Sequence, residues 1–344
     1  MRLVSSLLSH SYRYLALLIR RGAPALGEAG APNERKAFMI QTVCGPIEAS
    51  ELGVTMAHEH LSVDLAGVRH DEDSIFTYSD LLLSEMERVK AAGINSVVEV
   101  SCIGMGRDVK ALQHLSKSTG LNILCSTGFY LECYHPAWVK DAPVEKIEKT
   151  FLDEFKNGID GTDIKPGVIG EIAGEKTEIT PSEQKVMIAS ARVGAEIGCA
   201  VTTHCQLGQL APEQAHLLVS NGMDSSKVIL GHLDLANDLD YYKRVLDLGV
   251  NIGFDTCGKI RYLADEIRAD NLAELVRLGY EKQIVLSTDV SRKSYMFGEG
   301  GRGYADVIDH ILPLIRERGV LESSIHTMLV DNPARIFDIE GASR

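Results

Sequence analysis

The feature that most constrains the fold is an eightfold alternation of short apolar runs and amphipathic helical segments. The runs lie at 54–58, 96–101, 122–128, 167–171, 200–204, 227–232, 250–255 and 283–289. Several are rich in Val and Ile and lack period-two alternation, which is typical of strands buried on both faces. Strands that alternate with helices predict a parallel sheet with right-handed crossover connections.

The segments between the runs carry helix signals. The clearest lies at 181–197, where Thr180 is a predicted N-cap, Pro181 takes the first helical position and Glu183 completes a capping box. Eight strand–helix units in about 300 residues favour a (β/α)₈ barrel over an open sheet. The alternative, a doubly wound sheet, would carry a glycine-rich phosphate loop after the first strand, but that strand runs into Ala57, His58, Glu59 and His60. We therefore predict an α/β protein whose residues 39–344 form a single-domain TIM barrel.

Residues 1–38 differ in composition from this body. They contain six basic and two acidic residues, and no acid precedes Glu28. An arginine- and serine-rich, acid-poor start is compatible with an organelle transit peptide. The alternatives are an over-long translation start and a disordered extension, and we exclude this N-terminal extension from the fold prediction.

The composition excludes several classes of protein. Hydrophobic residues make up 45% and charged residues 24%, which is ordinary for a globular domain, and the net charge of −13 makes nucleic acid an unfavourable partner. The apolar run at 15–19 is far shorter than a membrane span. Seven scattered cysteines predict free thiols in a reducing compartment. We expect a cytoplasmic protein, with organelle import through residues 1–38 as the alternative location. Its expected partner is a small-molecule substrate, with no nucleic acid or membrane partner. A homodimer is possible.

Residues of metal-binding type stand where five of the predicted strands end. They are His58, His60, Glu171, His204, His232 and Asp289. In a TIM barrel, catalytic residues gather at the carboxyl ends of the strands. The His58 and His60 side chains, two residues apart on a strand, point to the same face. Each residue alone could be a packed or solvated side chain, but five such coincidences at strand ends favour a shared site.

Six ligands exceed the three that a catalytic zinc ion takes from a protein, so the pattern predicts two metal ions. In this hypothesis His58, His60 and Asp289 hold one ion, His204 and His232 hold the second, and Glu171 bridges them. We expect zinc, with manganese or cobalt as alternatives. A hydroxide between the ions would be the nucleophile, and Asp289 would also accept its proton.

The strand-end pattern resembles that of the amidohydrolase superfamily, and several segments resemble its phosphotriesterase family. These segments are 55–61 (TMAHEHL), 231–232 (GH), 255–259 (DTCGK), 286–293 (LSTDVSRK) and 332–337 (NPARIF). The resemblance covers about 39–340 and implies a binuclear-metal hydrolase. Phosphotriesterases proper bridge their metals with a carbamylated lysine on strand four, whereas Glu171 occupies that place here, as in the phosphotriesterase homology and phosphotriesterase-related proteins. This departure puts efficient phosphotriester hydrolysis in doubt and leaves metal-dependent hydrolysis intact.

The function we predict is hydrolysis of a carboxylic ester, lactone or amide. The alternatives are hydrolysis of a phosphoester or phosphonate ester, and metal-dependent binding without turnover. Candidate substrate-binding residues are Tyr130 in the loop after strand three, Lys259 after strand seven and Arg292 after strand eight. Of these three residues, Lys259 and Arg292 are cations that could bind an anionic substrate.

Overall fold

Eight parallel strands form the wall of a (β/α)₈ barrel in the computed structural model, which describes residues 38–340. They are β1 (Thr55–Glu59), β2 (Ser96–Glu99), β3 (Asn122–Leu124 and Ser126–Thr127), β4 (Val168–Gly174), β5 (Ala200–Cys205), β6 (Val228–Gly231), β7 (Asn251–Phe254) and β8 (Ile284–Leu286). Strand β3 is interrupted at Cys125, and its first part pairs with β2 while its second pairs with β4. The predicted barrel is confirmed. The predicted extension lies outside the described residues, apart from Phe38.

Helices follow the strands as the alternation predicts. The main helices are Asp80–Ala91, Val109–Thr119, Val144–Asn157, Pro181–Ile197, Ala211–Ser220, Leu239–Leu246, Asp265–Arg277 and Leu312–Glu317, with shorter ones at Ala66–Arg69, Glu322–His326 and Asn332–Phe337. π-Helical turns cover Val307–Ile311 and Thr327–Asp331. The capping box of Thr180 and Glu183 is present as predicted. Outside the barrel, Phe38–Thr42 pairs antiparallel with Gly45–Glu48 and Ile339–Glu340, and Val63–Asp64 pairs with Ile75–Phe76.

Irregularities in two strands determine which side chains reach the barrel interior. Met56 packs with the helices in the outer core, whereas Ala57 packs in the inner cluster with Val98 and Val285. Strict alternation would then turn His58 outward. The pairing of β1 with β2 instead shifts register between Met56 and Glu59. The bulge keeps His58 on the interior side, and bulges often re-aim a side chain beside an active site.

The β4–β5 pair contains a second register shift, between Val201 and Thr203. Across it, Ile169 and Ile172 both pack in the outer core. They are three residues apart, whereas alternation would separate residues on one face by an even number. The extra residue lies next to Glu171 and allows its side chain to point into the barrel.

A buried carboxylate closes the seam between β8 and β1. Within the described residues these two strands belong to separate hydrogen-bonded sheets. Glu59 bridges the gap: its Oε1 accepts hydrogen bonds from Ser287 Oγ at 2.7 Å and from Thr288 N and Oγ1 at 2.7 and 2.6 Å. Its Oε2 accepts a fourth from Val290 N at 2.9 Å. The chain around Asp289 is therefore anchored to β1 through one side chain.

We predict that Glu59→Ala weakens the fold strongly, because it leaves four buried donors without their acceptor. An unsatisfied buried polar group costs about 1–3 kcal/mol, so a loss of roughly 3 kcal/mol or more in the free energy of unfolding is expected. Urea denaturation in the presence of a chelator measures this without a contribution from metal. Glu87→Ala, an exposed position on the helix Asp80–Ala91, is the matched control and should change stability by no more than about 0.5 kcal/mol. Equal stability of the two variants would show that packing alone closes the seam.

Candidate metal centre

The six predicted ligand residues come together at the carboxyl ends of the strands. His58 belongs to β1 and His60 follows it directly, Glu171 and His204 lie on β4 and β5, His232 follows β6, and Asp289 follows β8. Five of the six line a cavity of about 390 Å³, and His58 lies just beneath its surface. All six are buried except His204, whose side chain is 13% exposed.

The Glu171 carboxylate is the centre of the cluster. Its Oε1 lies 3.3 Å from His60 Nε2. Its Oε2 lies 3.4 Å from His58 Nε2, 3.2 Å from His204 Nδ1 and 3.7 Å from His232 Nε2. One carboxylate thus faces four imidazoles with its two oxygens turned to different sets, as a bridging ligand requires.

Asp289 occupies the other side of the cluster. Its Oδ1 lies 3.3 Å from His60 Nε2, and its Oδ2 accepts a hydrogen bond from the Lys259 ammonium. Asp289 and His232 both adopt left-handed backbone conformations, with φ of 48° and 60°. Such conformations in non-glycine residues cost of order 1–3 kcal/mol and are concentrated at functional sites.

The ligand atoms form two overlapping groups. One contains His58, His60 and Asp289, and the other contains His58, Glu171 and His232. His204 adjoins the second group, because its Nδ1 lies 2.8 Å from His232 Nε2. His58 therefore stands between the groups, whereas the sequence hypothesis assigned it to the first ion alone.

Further polar side chains hold the histidines in place. His232 Nδ1 lies 2.8 Å from Asp255 Oδ1, and Asp255 Oδ2 lies 3.5 Å from His58 Nδ1. His60 Nδ1 lies 2.8 Å from Ser101 Oγ. Such partners orient a metal-binding imidazole and select its tautomer. Sequence reasoning gave these residues no role, although Asp255 ends the seventh predicted strand and Ser101 ends the second.

The acidic groups and the histidines of the cluster shift one another's pKa values. Burial raises the pKa of Glu171, but its interactions with the four imidazoles more than offset this effect and leave this pKa well below its usual value. Burial also acts against ionisation of Asp289, yet the Lys259 charge and His60 lower its pKa. Burial lowers the pKa of His60, and hydrogen bonds to Asp289 and Glu171 more than reverse this and raise it to about 9. Both carboxyl groups are consequently anionic, the form that binds metal ions.

The three predicted substrate-binding residues all line the cavity, but their charges differ in availability. The Tyr130 hydroxyl lies 3.3 Å from His204 Nδ1. Lys259 is bound to Asp289, and Arg292 Nη1 donates to Asp71 Oδ2 at 2.7 Å. Both predicted cations are therefore already paired with carboxylates of the chain.

The aromatic residues of the loop after β3 have two roles, since some anchor the loop to the core and others line the cavity. Phe129 is buried and packs edge-on against Trp138, which pins the loop to the core. Tyr130 and Tyr134 line the cavity beside Arg69, a cation that sequence reasoning did not single out. No strand-end signal marks Arg69, because it ends a short helix in the loop after β1.

Within the described residues, every helix is too short or too polar to cross a bilayer.

Comparison with known proteins agrees with the geometry. The model of the phosphotriesterase family matches residues 38–337. The phosphotriesterase homology protein of Escherichia coli is 34% identical over 285 residues, which cover 83% of this chain and 98% of that protein. The N-acetyltaurine hydrolase of Tetraodon nigroviridis is 33% identical over 336 residues, covering 86% of this chain and 96% of that protein.

Solved structures show the same likeness. The crystal structure of a lactonase from Listeria monocytogenes superimposes with a TM-score of 0.83 at 26% identity, covering 87% of this chain and 98% of the lactonase. Together with the strand-end cluster, these matches support a metal-dependent hydrolase. The chain belongs to the phosphotriesterase family.

Proposed function

We propose that this protein hydrolyses an amide, ester or lactone of a small carboxylic acid with two divalent metal ions. The observation that carries the proposal is the buried Glu171 carboxylate, which lies within 3.7 Å of four imidazoles at the floor of the cavity. An acid facing several histidines is a poor packing arrangement for an apolar core and a good one for cations.

The donor set fits the proposed ions. Four imidazoles and two carboxylates suit zinc, and manganese or cobalt accept the same ligands. Neither ring nitrogen of the buried His58 has a hydrogen-bond partner among the described residues. A buried imidazole without such a partner is costly unless it ligates an ion. His58, His60 and Asp289 would hold one ion, and Glu171, His204 and His232 the other, with Glu171 shared.

When bound, such ions supply Lewis acidity and allow water to act as a nucleophile at neutral pH. The chain's own residues would then orient the histidine rings and the substrate and accept the proton of the attacking water. The Oδ1 atom of Asp289 faces the cluster. The Asp289 carboxylate is therefore placed to accept the proton of the attacking water. Asp255 and Ser101 keep the rings of His232 and His60 fixed during the reaction. The Tyr130 hydroxyl, above His204, is placed to contact the substrate's acyl group.

Two of the relatives are named for carboxyl substrates. An N-acetyltaurine hydrolase is named for an amide substrate and a lactonase for a cyclic ester, and both match nearly their full lengths. The glutamate at position 171, in place of a carbamylated lysine, points the same way.

The test is turnover of a panel by metal-reconstituted protein. The panel contains an N-acetyl amine, a γ-lactone, a carboxylic ester and a dialkyl aryl phosphate, each assayed with zinc, manganese or cobalt and again after chelation. We expect metal-dependent turnover of at least one carboxyl substrate at a higher kcat/KM than the phosphate. Turnover of the phosphate alone would overturn the choice of substrate class, and failure of every substrate would favour a binding role.

We predict that the wild-type protein binds two divalent ions per chain and that Glu171→Gln loses at least one. The substitution removes the shared negative charge and leaves size almost unchanged, so the barrel should stay folded. Elemental analysis after dialysis gives the ion count, and circular dichroism checks the fold. Glu175→Gln, which alters another acid lining the cavity, is the matched control and should retain both ions. Two ions in Glu171→Gln would show that a different group bridges them.

Asp289→Asn should lower kcat by about 10²- to 10⁴-fold, the typical contribution of a general base. Asparagine keeps the size and one coordinating oxygen but cannot accept the proton. Steady-state kinetics on the best panel substrate, with metal content measured on the same sample, separates loss of the base from loss of an ion. A variant with two ions and wild-type kcat would restrict Asp289 to a structural role.

A further inference from the structure

Three cations line the cavity above the cluster, and two of them are neutralised by the chain itself. Lys259 binds Asp289, while Arg292 lies 2.7 Å from Asp71 and 3.7 Å from Asp73. A cation held in this way has little charge left to attract a substrate.

Arg69 is the exception. Its Nη1 donates a hydrogen bond to the Ser291 carbonyl oxygen at 3.2 Å, and its side chain also hydrogen-bonds Tyr134. Among residues 38–340, no carboxylate oxygen lies within 4 Å of a nitrogen of its guanidinium. Lys259 and Arg292, by contrast, each have a carboxylate oxygen within that distance. The side chain is half-buried, and a guanidinium carries five N–H donors, of which neutral oxygens engage only part.

The backbone gives Arg69 a defined position. It is the last residue of the helix Ala66–Arg69, its amide donates to the Leu65 carbonyl at 2.9 Å, and His70 caps the helix in a left-handed conformation. The bond to Ser291 ties it to the loop after β8, only two residues beyond Asp289. Arg69 therefore stands at a fixed place on the cavity wall, between the loops that follow β1 and β8.

We propose that Arg69 binds an anionic group, a carboxylate or sulfonate, on the part of the substrate that does not react. This inference rests on the proposed hydrolysis and narrows its substrates to acyl derivatives of small acidic amines or alcohols. A guanidinium matches two oxygens of such an anion with parallel hydrogen bonds.

The experiment compares two substrates that differ only in charge. N-acetyl-β-alanine carries a carboxylate, and N-acetyl-β-alaninamide replaces it with a neutral amide of nearly equal size. We expect the wild-type protein to prefer the acid. In Arg69→Gln, KM for the acid should rise by about 10- to 100-fold, the usual worth of a hydrogen bond to a charged group, while kcat and the kinetics of the neutral amide change little. Arg69→Lys should recover part of the loss.

Arg261→Gln is the matched control. Arg261 is an exposed cation in the loop after β7 and does not line this cavity, so its removal changes net charge equally without removing a contact. Equal effects of Arg69→Gln and Arg261→Gln on KM would reduce the role of Arg69 to general attraction and overturn the proposal.

A binding measurement keeps this test independent of turnover. N-methylsulfonyl-β-alanine has a sulfonamide in place of the scissile amide and resists hydrolysis. Calorimetric titration of the metal-loaded protein should give a dissociation constant that rises about 10- to 100-fold in Arg69→Gln and stays unchanged in Arg261→Gln. If hydrolysis of the carboxyl panel fails but this difference holds, the proposed reaction is wrong and the anion site stands; an unchanged constant in Arg69→Gln overturns the anion site.

Discussion

The active end of the barrel depends on one buried carboxylate that lies outside the candidate ligand cluster. Glu59 lies between His58 and His60, and its side chain leaves the strand on the opposite side from theirs. Its four hydrogen bonds hold residues 287–290, the segment that carries Asp289. One tripeptide thus supplies two histidines to the cluster and fixes a third partner from the far end of the chain. A register slip of β1 by one residue would turn the two histidines away from the cluster and would also remove the hydrogen bonds that hold the segment with Asp289.

The cluster contains more buried acidic groups than lysine or arginine side chains to compensate them. Asp255, Glu171 and Asp289 are buried with lowered pKa values. Among the described residues, Lys259 is the one lysine or arginine that forms an ion pair with any of them. Buried anions of this density need cations or protons to offset their desolvation. The surrounding imidazoles can take protons, but they can also share the anions with divalent ions, and only the second arrangement leaves a Lewis acid facing the cavity.

Much of this site could be predicted from the sequence, and the limits of prediction have physical causes. Strand ends are local features, so the six candidate ligand residues could be singled out from the sequence, and the alternation of elements predicted the barrel that brings them together. The two bulges were not predictable, because a register shift depends on the neighbouring strand. Nor was the bond from Arg69 to Ser291, whose partners are 222 residues apart in the chain. The strand prediction also ran too far at β8, which ends at Leu286, and the left-handed turn at Asp289 replaces the last residues of the predicted strand.

Charge in the cavity shows why substrate recognition is the hardest property to derive from sequence. Lys259 and Arg292 follow strands and were singled out for that reason, yet each is paired with an acid of the chain. The formal charge of a residue says nothing about whether it is already compensated, since that depends on loops brought together by the fold. What a substrate meets is the charge left over after internal pairing, and here that points to Arg69. Members of one family can therefore keep the same strand-end ligands and differ in substrate by changing which loop cations remain unpaired.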